Sequence, residues 1–180
     1  MLKVIAAYTV GLGRLALGCH IRPWVHVPDI NHLDIAHLKQ AGIRGIALDV
    51  DNTLTVHHAP ELYEPIAATY QKLKKEFKVI LYSNCNEPRY RQLTEMFDVP
   101  VVEPGMKKPS ARGFQRALQL LDLPAEQCLM VGDRALTDIV GGNKNGFKTA
   151  LVDPFEGPEP GILTNIRRLE RWRLRLMGIK

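Results

Sequence analysis

The chain has 180 residues, 46% of them hydrophobic, which fits one globular domain with a single core. Its net charge of +5 and its pI of about 9.2 favour anionic partners. Three widely spaced cysteines, Cys19, Cys85 and Cys128, argue against a disulfide framework and against a zinc site. They favour a reducing compartment instead.

The first 30 residues are interpreted as an apolar, basic segment and linker, and residues 31–180 as the folded domain. Arg14 interrupts the apolar run, which argues against a membrane-spanning helix and against a secretory signal. A helix packed on the domain, a membrane-surface segment and an organelle-targeting segment all stay open. Residues 22–27, which contain Pro23 and precede Pro28, are predicted to be an extended linker.

Short apolar runs alternate with apolar residues at helical spacing, a pattern that predicts an α/β fold. The predicted strands are residues 46–48, 79–82, 99–102, 128–131 and 149–152. Residues 34–40 are predicted to form a helix that ends near Gly42, and Gly141-Gly142 is expected to close the last helix before the fifth strand. We therefore predict a doubly wound, Rossmann-like three-layer sandwich with a five-stranded, mainly parallel sheet.

Two acids and a threonine, Asp49, Asp51 and Thr53, follow the first predicted strand. A strand buried on both faces has no use for carboxylates, so we expect them just past its carboxyl end, where open α/β sheets bind ligands. Two carboxylates there repel each other unless a cation lies between them. Oxygen ligands favour a hard divalent cation, and we expect Mg²⁺.

Further polar residues fall at later strand ends or helix starts: Ser83, Asn84, Lys108, Asp133 and Asp138. Each has an ordinary explanation, such as capping a helix or facing solvent. All of them in this order by chance is improbable, below roughly one in twenty. Hydroxyl, amide and ammonium groups at one sheet edge can bind phosphoryl oxygens.

Together these residues resemble the four motifs of the haloacid dehalogenase-like (HAD) phosphatases: Asp-x-Asp-x-Thr, then Ser, then Lys-Pro, then Gly-Asp-x-x-x-Thr-Asp. The resemblance covers roughly residues 44–154. It implies that Asp49 is the nucleophile, Asp51 the general acid and base, and Lys108 a catalytic cation. It also implies that Thr53, Ser83 and Asn84 bind substrate. The implied metal ligands are Asp49, the Asp51 carbonyl, Asp133 and, as an auxiliary or more distant group, Asp138.

The intervals from Asp51 to Ser83 and from Ser83 to Lys108 are too short for a cap domain of about 50 residues. An open site without a cap resembles subclass III phosphatases of the YqeG type. The segment from Pro23 to Pro28 also resembles mitochondrial phosphatidylglycerophosphate phosphatases, which implies a lipid headgroup substrate on the route to cardiolipin. Cys85 departs from a more usual asparagine, with no catalytic consequence expected.

Two other functions stay open: hydrolysis of a soluble phosphate ester, and a nucleic-acid or ribosome-binding module with a vestigial site. The complete acid set argues against the second, so no nucleic-acid partner is expected. His57 and His58 either touch substrate or are ordinary loop residues.

The carboxyl-terminal region contains five arginines. Its apolar residues fall at helical spacing: Ile162, Ile166, Leu169, Trp172 and Leu176. This pattern fits a basic amphipathic helix on an anionic membrane and fits equally a helix packed on the sheet. The expected location is cytoplasmic, with the inner membrane face or the mitochondrial matrix side as alternatives.

Overall fold

The computed structural model describes residues 20–56 and 59–155, together with residues 170, 172 and 178. Five strands form one sheet: β1 Val25–Val27, β2 Gly45–Leu48, β3 Lys78–Leu81, β4 Cys128–Gly132 and β5 Lys148–Val152. Their order is β1-β5-β4-β2-β3, and every neighbouring pair is parallel. The predicted five-stranded parallel sheet is therefore confirmed, and β2 and β4, which precede the acidic motifs, lie side by side.

The identity of one strand differs from the prediction. Residues 25–27, predicted as a linker, form the edge strand β1 against β5, so part of the first 30 residues belongs to the sheet. An edge position tolerates flanking prolines because one side of the strand needs no partner. Residues 99–102 form only an isolated bridge between Val101 and Leu81. Pro100, which has no N–H to donate, limits that pairing.

The strands are connected through five α-helices: α1 Ile35–Gln40, α2 Ala67–Glu76, α3 Glu87–Met96, α4 Ala111–Leu121 and α5 Val140–Lys144. Asp34, Asn86 and Ser110 cap α1, α3 and α4 with side chains that accept backbone N–H groups. Gly42 ends α1 with a φ of +83°, as the sequence predicts. Short 3₁₀ turns cover Ile30–His32, Glu64–Ile66 and Ala125–Gln127, and one π turn covers Ala135–Ile139.

Side chains of the strands alternate between two cores, one on each face of the sheet. Ile46 and Leu48 of β2 pack in the core that includes residues of α2 and α3, such as Leu73 and Leu93. Ala47 faces the opposite core, which includes Phe114 of α4. Helices cover both faces, so the predicted three-layer, doubly wound arrangement is confirmed.

The glycine pair Gly141-Gly142 lies inside α5 and does not close it, contrary to the prediction. A Cβ atom on Gly141 would lie 2.4 Å from Phe114 Cε2, and one on Gly142 would lie 2.6 Å from Thr149 Cγ2. The pair is thus explained by the close approach of α5 to α4 and β5. The positive φ that follows the helix belongs to Gly146, at +82°.

Candidate active site

Three buried acids meet beyond the carboxyl ends of the two central strands. Asp49 follows β2, Asp133 follows β4, and Asp138 lies in the π turn that comes next. One carboxylate oxygen from each lies within 4.8 Å of the others. This cluster supplies only oxygen ligands, the kind that Mg²⁺ prefers in proteins.

Lys108 lies directly against this cluster and is itself 3% exposed. Its Nζ donates to Asp49 Oδ1 at 2.5 Å and to Asp138 Oδ1 at 2.7 Å. The ammonium also lies over the ring of Tyr82, 5.3 Å from the centroid, a favourable cation–π arrangement. Three carboxylates against one ammonium leave an excess of two negative charges, which suits a divalent cation.

Asn84 fixes the backbone of Lys108. Its Oδ1 accepts the Lys108 N–H at 2.6 Å, and its Nδ2 donates to the Lys108 carbonyl at 3.0 Å. The side chain expected to bind substrate therefore holds the lysine loop, through a peptide-like pair of hydrogen bonds.

The charges in the cluster shift one another's protonation. Burial raises the pKa of Asp49 to about 6; the Lys108 ammonium opposes this rise, while Asp133 and Asp51 add to it. Burial also raises the pKa of Asp138, again against the effect of Lys108. For Lys108 burial lowers the pKa, yet Asp138 and Asp49 outweigh it, so its pKa lies above the ordinary value. The lysine therefore stays charged, but its single positive charge does not balance the negative charge of the clustered carboxylates.

Asp51 contacts a residue of α3 and is not one of the three clustered acids. Its Oδ1 accepts from Arg89 Nη2 at 2.9 Å. The same Nη2 donates to Thr55 Oγ1 at 3.2 Å, which ties the arginine to both ends of a tight turn. The expected metal ligand at this position is the backbone carbonyl, and the side chain of Asp51 does not belong to the cluster.

The two hydroxyl residues predicted to bind substrate are both buried. Thr53 is 1% exposed and lies in the turn after β2, and its Oγ1 has no hydrogen-bond partner among the described residues. A buried hydroxyl without a partner is uncommon and is available to an incoming oxygen. Ser83 is 8% exposed and lies two residues beyond the end of β3.

Asp138 organises the turn that carries Asp133. Its Oδ2 accepts the Arg134 N–H at 3.0 Å. A Cβ atom on Gly132 would lie 2.4 Å from Asp138 Oδ2, so only glycine leaves room for this carboxylate. The glycine and second aspartate of the fourth motif thus pack against each other.

We compared the sequence that carries these acids and the lysine with those of known proteins. The sequence matches the family described as mitochondrial PGP phosphatase over residues 15–156. The chain belongs to this family. It is accordingly a phosphatase of the HAD-like group, of the YqeG and PGP phosphatase type.

Curated relatives agree with the family. The chain is 34% identical to "Probable phosphatase YqeG" of Bacillus subtilis, over 81% of this chain and 84% of that protein. It is 30% identical to phosphatidylglycerophosphate phosphatase 1, chloroplastic/mitochondrial, of Arabidopsis thaliana, over 83% of this chain. A Chlamydomonas reinhardtii chloroplastic enzyme of the same name is 34% identical. The aligned part spans 46% of the Arabidopsis protein and 60% of the Chlamydomonas protein.

Solved structures share the fold. A haloacid dehalogenase-like hydrolase from Xanthomonas campestris matches with a TM-score of 0.50 and 12% identity, over 76% of this phosphatase and 94% of that chain. An uncharacterized protein from Listeria monocytogenes serotype 4b gives a TM-score of 0.50 and 22% identity, over 74% of this chain and 99% of that one. At these identities the likeness concerns the fold alone.

The sequence analysis of this phosphatase did not single out Arg89, and it did not predict that Glu170 is buried. Arg89 occupies the first turn of α3, where a cation opposes the helix dipole, and that unusual placement is a usable signal. Glu170 is the single acid among the tail arginines, and it is buried: its Oε1 accepts the Leu136 N–H at 3.2 Å and its Oε2 lies 3.4 Å from Arg134 Nε.

Several predictions concern residues outside those the structure describes: residues 1–19, His57 and His58, and the tail apart from Glu170, Trp172 and Gly178. The basic amphipathic helix therefore stays a prediction. Among the described residues, none of the helices has the length and hydropathy needed to span a membrane.

Proposed function

We propose that this phosphatase hydrolyses the phosphomonoester of phosphatidylglycerophosphate, using Mg²⁺ and a phosphorylated Asp49. The substrate class is supported by the family and by relatives named for that activity. The observation that carries the chemistry is the buried contact of Lys108 with Asp49, beside Asp133 and Asp138. It combines a carboxylate, a fixed cation and a set of oxygen ligands at one point.

In this proposal Asp49 attacks phosphorus. An oxygen of its carboxylate forms the new bond to phosphorus as the bond to the ester oxygen breaks, which gives an acyl phosphate. Asp51 gives its proton to the departing oxygen. Asp51 then takes a proton from the water that attacks the acyl phosphate, which releases inorganic phosphate and regenerates both carboxyl groups.

Lys108 stabilises the negative charge of the transferred phosphoryl group. A phosphate monoester dianion repels an attacking carboxylate, so fixed positive charge near its oxygens lowers the barrier. Lys108 keeps its proton because Asp138 and Asp49 hold its pKa high. The Thr53 hydroxyl is buried and has no partner in the described part of the chain, so it is suited to donate to a phosphoryl oxygen. Ser83 follows the neighbouring strand.

The residues of the cluster fit Mg²⁺. Asp49, Asp133 and the Asp51 carbonyl would hold the ion, and the excess negative charge of the cluster would be balanced by it. When bound, the ion adds positive charge beside the phosphoryl oxygens. Asp138, already engaged by Lys108 and the Arg134 N–H, is better suited to orienting the lysine.

A lipid substrate implies work at a membrane surface. The short connections after β2 and β3 leave little chain for a cap, which suits a headgroup presented at an interface. The tail arginines would add attraction to anionic lipid, about 1 kcal/mol for each basic residue near the surface. We therefore propose a peripheral location, on the inner membrane face of a cell or on the matrix side of a mitochondrion.

The test compares phosphate release from phosphatidylglycerophosphate in vesicles with release from glycerol phosphate and from p-nitrophenyl phosphate. The lipid should have the highest kcat/KM, and Asp49→Asn should lose at least about a thousandfold on every substrate because the covalent path is removed. Asp98→Asn, an exposed acid paired with Lys74, is the matched control and should keep full activity. Equal or better turnover of glycerol phosphate would replace the lipid with a soluble ester, and an active Asp49→Asn would remove the nucleophile assignment.

A further inference from the structure

Arg89 is a buried cation that ties α3 to the turn carrying Asp51. The residue is 6% exposed. Its Nη2 donates to Asp51 Oδ1 and to Thr55 Oγ1. Its Nη1 donates to the Ala59 carbonyl at 2.9 Å and to Gln92 Oε1 at 2.6 Å. Both terminal nitrogens are thus engaged by protein acceptors, and the guanidinium is not arranged as a clamp for substrate phosphate.

This placement is costly in two ways. Removing a guanidinium from water carries a large desolvation penalty. Arg89 is also the third residue of α3, after the Asn86 cap, where the helix dipole opposes positive charge. A simple structural link between α3 and the turn has cheaper solutions, such as apolar packing. The contact with Asp51 is the part of the arrangement that such packing cannot provide.

The geometry supplies one thing that a general acid needs, a fixed orientation. A carboxyl group rotates about two side-chain bonds, and proton transfer requires its oxygen within hydrogen-bond reach of the leaving oxygen. Arg89 holds Asp51 Oδ1 at 2.9 Å from a guanidinium that is itself fixed by three further acceptors. The planar fork of arginine makes this a directional restraint, which a lysine ammonium does not reproduce.

We propose that Arg89 is a positioning residue that orients Asp51 towards the leaving oxygen of the substrate. The proposal rests on the role assigned to Asp51 under the proposed function. Its consequence is selective: Arg89 matters most where the leaving group needs a proton, and least where the leaving group departs readily as an anion. A residue that only stabilises the fold has no such selectivity.

The experiment measures kcat/KM for p-nitrophenyl phosphate and for phenyl phosphate, two substrates of similar shape that differ in how much their leaving oxygen needs protonation. The parameter kcat/KM covers the steps through phosphoryl transfer to the enzyme and leaves later hydrolysis out. The variants are Arg89→Gln and Arg89→Lys. Arg91→Gln is the matched control, because Arg91 lies on the same helix, is 74% exposed and pairs only weakly with Glu87 at 3.4 Å.

Arg89→Gln should lower kcat/KM for phenyl phosphate about 100-fold, within the range of general acid catalysis. For p-nitrophenyl phosphate the same variant should lower kcat/KM by no more than about tenfold. Arg89→Lys should lie between the wild type and Arg89→Gln, and Arg91→Gln should match the wild type. The ratio of the two kcat/KM values does not depend on the fraction of folded enzyme, so partial unfolding does not obscure it. Equal losses on both substrates, including complete loss, would overturn the proposal.

Asp51→Asn in the same assay separates this proposal from the proposed function. Selective loss on phenyl phosphate in Asp51→Asn, without selectivity in the Arg89 variants, removes the role of Arg89 and keeps Asp51 as the general acid. An unselective Asp51→Asn removes the acid role itself, and the Arg89 proposal fails with it.

Discussion

Lys108 Nζ lies 2.7 Å from Asp138 Oδ1, in an ion pair whose carboxylate is completely buried. The same ammonium contacts Asp49, so one cation joins two carboxylates that follow different strands, β2 and β4. Asn84, which follows β3, holds the lysine backbone. Polar residues beyond three neighbouring strands therefore meet at a single side chain.

The first prediction concerns that lysine. In chelator, Lys108→Ala should lower the free energy of unfolding by about 3–5 kcal/mol, because Asp49 and Asp138 lose their common cation while buried. The phosphatase activity of Lys108→Ala should also fall. Lys107→Ala, the exposed neighbouring lysine, is the control and should change neither. Denaturant unfolding in EDTA measures the effect, and a Lys108→Ala protein as stable as the wild type would show that the pair contributes nothing to folding.

The second prediction is a pH dependence of stability without metal. Burial raises the pKa of Asp49 from 3.8 to about 6 in the folded protein. Between those two values the folded state binds more protons than the unfolded state, so this group makes stability fall as pH rises from about 4 to 6. The full loss is at most about 3 kcal/mol and persists above pH 6.

Asp49→Asn removes that titration and so provides the comparison. In EDTA, the stability of the wild type minus that of Asp49→Asn should decrease as pH rises from about 4 to 6 and then level off. Urea unfolding at several pH values measures the difference. Saturating Mg²⁺ should flatten the curve, because a bound cation favours the ionised carboxylate. A difference that is independent of pH would contradict the raised pKa.

The third prediction concerns metal affinity. Mg²⁺ at 100 times its dissociation constant should stabilise the wild type by about 2.7 kcal/mol relative to EDTA. Asp133→Asn should need far more Mg²⁺ for the same rise in Tm, because the cluster loses one of its three carboxylates. Asp153→Asn, with a half-exposed acid outside the cluster, is the control. Full turnover in excess chelator would exclude the proposed metal requirement.

The fourth prediction compares two residues of the tail. Glu170→Ala should destabilise the protein by about 1–3 kcal/mol, because the buried Leu136 N–H and Arg134 lose their acceptor. Trp172→Ala should destabilise the protein less than Glu170→Ala, because Trp172 is 54% exposed and Glu170 only 2%. If the tail binds membrane, Trp172→Ala should weaken co-sedimentation with anionic liposomes. Unchanged co-sedimentation would remove Trp172 as a membrane anchor.

Four of the five strands, and the acids that follow two of them, were predictable because each depends on neighbours in sequence. A buried parallel strand shows as a short apolar run, and polar residues directly after it must lie at the sheet edge. Asp49 and Asp133 were placed by that rule and Lys108 by its position at a helix start, and the structure brings the three together. Residues 25–27 were predicted as a linker and residues 99–102 as a strand, and the two assignments were wrong because both are short apolar segments beside prolines. Only the available sheet edge distinguishes them.

The sequence alone therefore determined the fold class, the sheet edge that carries the site, and the candidate nucleophile and lysine. Tertiary structure decided which way the remaining side chains face. Asn84 turns to Lys108, 24 positions away, and Arg89 reaches Asp51 across 38 positions. Glu170 reaches Leu136 across 34 positions. Local propensity and periodicity describe residues within a few positions of each other, whereas these contacts depend on how whole elements pack.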